Sequence, residues 1–104
     1  MDTEVKFTSL NAVTATGAGI AHGVGNRTKL SYQVKTTGSP TSWSVDLEGT
    51  IDGTNWVVMD TLASTDATMI KTPINAGLFL VRLNLTALVG GTNPTVTGTV
   101  LAKA

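Results

Sequence analysis

Polar and apolar residues alternate along most of this chain. Between Lys29 and Lys35, Leu30, Tyr32 and Val34 fall on one side, and Lys29, Ser31, Gln33 and Lys35 on the other. Trp43, Val45, Leu47 and Ile51 likewise face away from Ser44, Asp46, Glu48 and Thr50. Phe79, Val81, Leu83 and Leu85 oppose Leu80, Arg82, Asn84 and Thr86. Val96, Val100 and Ala102 oppose Thr95, Thr97, Thr99 and Lys103, and near the start Val5 and Phe7 oppose Glu4, Lys6 and Thr8. A period of two predicts strands with one buried and one wet face, as antiparallel sheets require.

Turn chemistry separates these runs: GAG, GVGN, TTGSPTS, IDGTN, KTPINAG and GGTNP. Such signals recur roughly every 8–15 residues, close to the spacing of a sandwich or barrel. No helix-length stripe of 3.6-residue period is present, and Ala63 to Thr68 offers at most one helical turn. The expected fold is all-β, an antiparallel two-sheet β-sandwich of about 7–8 strands, Ig-like or jelly-roll-like. Residues 1–104 read as one domain, with 1–9 an N-terminal arm or an edge strand. Asn11 to Asn26, with four glycines, reads as an irregular edge hairpin.

Composition sharpens this picture. Only 13% of the 104 residues are charged, against roughly 25% in an average soluble domain. Threonine is the commonest residue, so hydroxyls take the place of Lys and Glu on the surface. Uncharged groups cost less to desolvate than charges, which suits a surface that other protein covers. Seven bases balance seven acids without any Lys/Arg run, so nucleic acid is not an expected partner. Cysteine is absent, which removes disulfides, thiolate metal sites and a Cys nucleophile. The start MDTEVKFTSL lacks the apolar core of a secretory signal, and no apolar run is long enough for a bilayer. Synthesis in a cytoplasm without membrane insertion is the expectation.

Candidate chemistry concentrates at LEGTIDGTNW, Leu47 to Trp56. Asp52, Gly53 and Asn55 are sufficient for a tight bend between strands, since Gly and Asn tolerate positive φ. Calcium is the sharper alternative, because Asp46 and Glu48 share a face at roughly 7 Å and Asp52 follows. The register of a calcium loop is missing, however. Asp46 and Glu48 are therefore expected to pair with Arg82, Lys29 or Lys35, and no metal or other cofactor is expected. Trp43 belongs to the core register, whereas Trp56 falls on either face and leaves room for sugar stacking. His22 is the only histidine, and neither a nucleophile elbow nor a ligating His pair is present. An enzyme is not expected.

Three strings, VTATGAGIAHGVGNRTKLSYQV, SWSVDLEGTIDGTNWVVMD and FLVRLNLTALVGGTNPTVTGTVLA, resemble the pattern of small β-sandwich virion proteins of tailed bacteriophages. The matching elements are Thr16 to Gly19, Leu47 to Trp56, Val81 to Asn84 and Pro94 to Thr97. Asp-Gly-x-Asn-Trp is also similar to a stretch of discoidin-type carbohydrate-binding domains, which are longer and do not share the remaining pattern. The phage resemblance implies a virion structural protein without specifying the part of the virion, and the favoured reading is a capsid decoration protein that binds and stabilises the assembled head, at the capsid surface. Its expected partner is the major capsid protein, docked through the Gly-rich N-terminal third or the loop from Lys71 to Gly77, and Asp52, Asn55, Trp56, Lys71, Pro73 and Asn75 are the candidate ligand or partner contacts. Two alternatives accompany it: a carbohydrate-binding module of a head, neck or tail fibre contacting a surface glycan, and a homo-oligomer (a trimer or ring) of the tail or connector. Leu80 and Leu101, outward in these registers, are the apolar positions available to such an oligomer.

Overall fold

A computed structural model describes residues 4–25, 27, 29–64, 68–71 (backbone) and 80–103. Nine strands lie among them: β1 (Glu4–Val13), β2 (Gly17–Ala18), β3 (His22–Gly23), β4 (Lys29–Thr37), β5 (Ser42–Thr50), β6 (Val57–Ser64), β7 (Thr68–Lys71), β8 (Leu80–Val89) and β9 (Thr95–Lys103). They form two antiparallel sheets. The first has the order β1-β9-β4-β7; the second runs β2-β8-β5-β6, with β3 also on β8. The thinnest extent of the molecule, 19 Å, fits two sheets packed roughly 10 Å apart.

The alternating runs supply the core. Leu30, Tyr32, Val34, Val96, Val100 and Ala102 from the first sheet meet Trp43, Val45, Leu47, Val81, Leu83 and Leu85 from the second, all buried. Gly98 faces inward in β9, and a Cβ there would come within 2.5 Å of Leu83 Cδ1. The close approach of the sheets at this point depends on a missing side chain.

Three expectations need correction. Ile51 is 77% exposed, because β5 ends at Thr50 and its alternation ends with it. Glu48 does point to the outer face, but it is buried at 8% because its partners there close it in. The described residues of Asn11–Asn26 make no hairpin with one another. Their two short strands pair separately with β8, Gly17 opposite Leu85 and His22 opposite Val81. Ala63 and Ser64 extend β6, while residues 65–67 of the suggested helical turn lie outside the described residues. Glu4 to Val13 is an edge strand paired with β9 from Glu4 opposite Lys103 onward.

Between β2 and β3 the chain turns to the other sheet. Gly19 N–H still donates to Leu83 O (2.7 Å), but Ile20 N–H donates to Ser9 O of β1 (2.8 Å). The Ser9 hydroxyl donates to Ile20 O (2.8 Å) and accepts from the buried Leu83 N–H (2.9 Å). A Cβ on Gly19 would collide with the Ser9 carbonyl. His22 adds an aromatic contact here, its ring stacked on Phe7 at 4.8 Å. On the opposite edge, the Tyr32 hydroxyl donates to Asp60 Oδ2 at 2.7 Å, joining β4 to β6.

Ser9→Ala strips Leu83 N–H of its acceptor and Ile20 O of a donor. The expected loss is about 1–3 kcal/mol for orphaned buried groups, read as a lower urea midpoint at unchanged slope. An unshifted midpoint would show that the hydroxyl does not hold the sheets together.

Candidate functional site

The β5–β6 bend is organised by one carboxylate. Asp52 Oδ1 accepts from Thr50 Oγ1 (3.0 Å), Thr54 N–H (2.8 Å) and Asn55 N–H (2.8 Å), and Oδ2 from Asn55 Nδ2 (2.7 Å). Thr50 Oγ1 in turn accepts from Gly53 N–H at 3.1 Å. Gly53 sits at φ 82°, the left-handed conformation that Asp-Gly bends use. Donors from Asn55, first through its amide, and from Thr54 and Thr50 hold the Asp52 carboxyl well below the usual carboxylate range. This carboxylate builds the loop, and Asn55 is its partner.

Trp56 follows at the base of the bend. It lies outside the apolar core and is half-buried. The Arg82 guanidinium sits 4.0 Å from its ring centroid, and Arg82 Nε donates to Glu48 Oε1 at 2.8 Å. Glu48 Oε2 accepts from Asn84 Nδ2 at 3.0 Å. Arg82 is therefore held between a carboxylate and an indole face, a cation–π arrangement. Strand register produces the group, because Glu48 stands opposite Arg82 in the β5–β8 ladder. That Glu48–Arg82 pairing was expected; the indole beside it was not. Asp46 accepts from Thr61 Oγ1 at 2.7 Å rather than from Arg82 or the two expected lysines.

Of the predicted contact residues, the fold brings together Asp52, Asn55 and Trp56 at one end of the second sheet. Lys71 ends β7 on the first sheet, its backbone opposite Tyr32. Pro73 and Asn75 lie outside the described residues. Ile51, Val57 and Met59 join Gly49, Thr50, Asp52 and Asn55 around an open, mainly apolar groove of about 580 Å³. Sequence reasoning missed its apolar side, which arises where β6 carries a bulge between its pairings with Leu47 and Glu48. Among the described residues no three His, Asp or Glu side chains gather to hold a metal ion. His22 donates through Nδ1 to its neighbour Gly23 O at 2.8 Å.

No family model matches the chain, and no curated protein matches it by sequence. Solved structures do share its architecture. The SPBc2 prophage-derived protein YomS superposes with a TM-score of 0.63 at 20% identity, over 97% of this chain and 93% of its own. The PBSX exported protein XepA gives 0.56 at 14% identity, over 100% of this chain and 39% of its own. VP2 in the infectious bursal disease virus subviral particle gives 0.57 at 10% identity, over 95% of this chain and 32% of its own. What is shared at these identities is the fold.

The two tryptophans should separate cleanly. Trp43→Ala empties a fully buried core site and is expected to cost about 3–5 kcal/mol. Trp56→Ala removes a half-buried ring and its cation–π contact, with an expected loss of about 1–2 kcal/mol. Equal losses in chemical denaturation would place Trp56 in the core after all. The Asp52 loop carries a pH signature. Its folded-state pKa is depressed, so its stabilisation is full above the ordinary aspartate value and is lost as pH falls toward the folded value. The midpoint gap between the native chain and Asp52→Asn should therefore be open at neutral pH and narrow on acidification. A gap independent of pH would mean the carboxylate's charge does not organise the loop.

Proposed function

We propose that this chain is a non-enzymatic structural protein of a bacteriophage particle, and within that class a capsid decoration protein that binds the assembled head. The observation carrying the reading is the end-to-end fold likeness to the prophage-derived YomS. The PBSX exported protein XepA and VP2 of a subviral particle share the fold and support the same reading. The chemistry is compatible with it. Asp46, Glu48, Asp52 and Asp60 each bond within the fold, and His22 rests against Phe7. None of these groups is poised against another as an acid–base pair.

A protein of this kind acts by mass action. Binding the assembled shell and not its free subunits stabilises the shell, and many weak contacts on a lattice add up through multivalency. A surface of hydroxyls and short side chains limits the desolvation cost of each contact. The alternative of a glycan-binding module loses support from Arg82, which lies across a Trp56 face that a sugar ring would stack on.

Purified chain mixed with assembled shells of its own phage should sediment with them, saturate at a fixed copy number and appear at lattice-periodic positions. It should also raise the temperature at which those shells disrupt. Protein left in the unbound fraction at every concentration, with no change in shell stability, would overturn the reading.

A further inference from the structure

The chain carries no net charge, yet the fold separates its charges between the two sheets. On the outer face of the first sheet, Lys6 stands beside Leu101 and Ser31, Lys35 beside Thr97, and Lys29 beside Lys103 and Glu4. All four lysines are exposed. Lys103 Nζ comes within 3.9 Å of Glu4 Oε2 there, with both groups more than half exposed. Among the described side chains, four lysines against one glutamate give this face a formal charge of about +3. Thr8, Thr99, Thr97 and Gln33 line a shallow trough between Lys6 and Lys35.

The second sheet has the opposite sign. Asp46 and Glu48 lie on its outer face with Arg82, which pairs with Glu48, and Asp52 is exposed at its terminal bend. Asp60 stands opposite inward-facing Leu47 and bonds Tyr32 of the first sheet, so it lies off this face. Asp46 and Glu48 against Arg82 leave the outer face at about −1, and Asp52 at the bend adds one more negative charge. Lys6, Lys29, Lys35 and Lys103 occupy three strands far apart in sequence, so no run of bases betrays the arrangement.

We propose that the lysine face is a docking surface for a second copy of this chain, which presents its Asp46-bearing sheet. The two surfaces are complementary in sign, whereas a lysine face against its own copy would bring like charges together. Half-buried Leu101 and the hydroxyl trough give the contact an uncharged centre with the lysines around it, the usual arrangement of an interface. The broad side of the molecule, 41 × 28 Å in extent, exceeds the roughly 800 Å² per partner of a standard interface. Association of one face with a different face is head-to-tail, so it extends into a ring or a short filament and does not stop at a symmetric dimer. The inference goes beyond the phage reading and holds or fails without it.

The test is the solution mass as a function of salt and charge. In analytical ultracentrifugation at about 0.02 M salt the weight-average mass should rise with concentration, and about 0.5 M salt should return it to the monomer. Lys6→Glu with Lys35→Glu, and separately Asp46→Lys, should each weaken association at least about tenfold at low salt. Denaturation midpoints near that of the native chain show that each variant folds. An equimolar mixture of the two variants should associate again, since each supplies the charge the other face now needs. A native chain that stays monomeric at low salt, or association unmoved by the reversals, overturns the proposal. So does a mixture that stays monomeric. Association with an added acidic protein but never with itself would assign the face to another partner and overturn it equally.

Discussion

A strand at the edge of a sheet carries a row of backbone donors and acceptors, and burying any of them unpaired costs free energy. On β8 that row is completed piecemeal. Two residues of β2 take its far end and two residues of β3 its near end. The gap between them falls at Leu83, whose carbonyl bonds Gly19 and whose N–H bonds the Ser9 hydroxyl. Ser9 belongs to the other sheet. One side chain therefore meets the backbone requirement of a core strand and joins β1 to β8 at once. Glycine at 19 follows from this, because the Ser9 carbonyl occupies the space a side chain would need. The short, glycine-rich strands are the consequence of an edge that must both pair and let the opposite sheet through.

The outer face of the second sheet shows a related constraint. Alternation predicts a solvated carboxylate at Glu48, and a solvated carboxylate needs no partner. Burial changes that requirement, since an ion removed from water must be paired and hydrogen-bonded. Arg82 and Asn84, two residues apart on β8, supply both halves of the pairing. Trp56 lies against the guanidinium and offers an electron-rich face. The bend and the sheet are thereby coupled. Asp52 fixes the loop, the loop delivers Trp56, and Trp56 sits on the arginine that neutralises Glu48.

Much of the fold was legible in the sequence because a period of two is a direct image of a half-buried strand. The inward sets of Lys29–Lys35, Trp43–Leu47 and Val96–Ala102 all appear in the core. Asp52–Gly53 was legible as a bend for the same local reason, namely the φ that Gly tolerates. Ile51 misled, because alternation says nothing about where a strand stops. Ser9, Gly19 and Gly98 were illegible, since their roles depend on what another sheet places opposite them. Trp56 stayed ambiguous until register set Glu48 against Arg82. The apolar side of the groove beside Asp52 depends on a bulge that alternation cannot show.

The same reasoning explains how a chain with few charges and none in excess can still be electrically polarised. Composition averages over the surface, and linear sequence hides neighbours that lie on different strands. Antiparallel pairing sets β1, β9 and β4 side by side, and their outward lysines then gather on one face. Field strength depends on that arrangement and on salt, and far less on the total charge. Thinly charged surfaces make each remaining charge count for more, because fewer counter-charges stand nearby to offset it. A hydroxyl-rich sandwich thus combines faces that cost little to cover with an uneven distribution of its few charges.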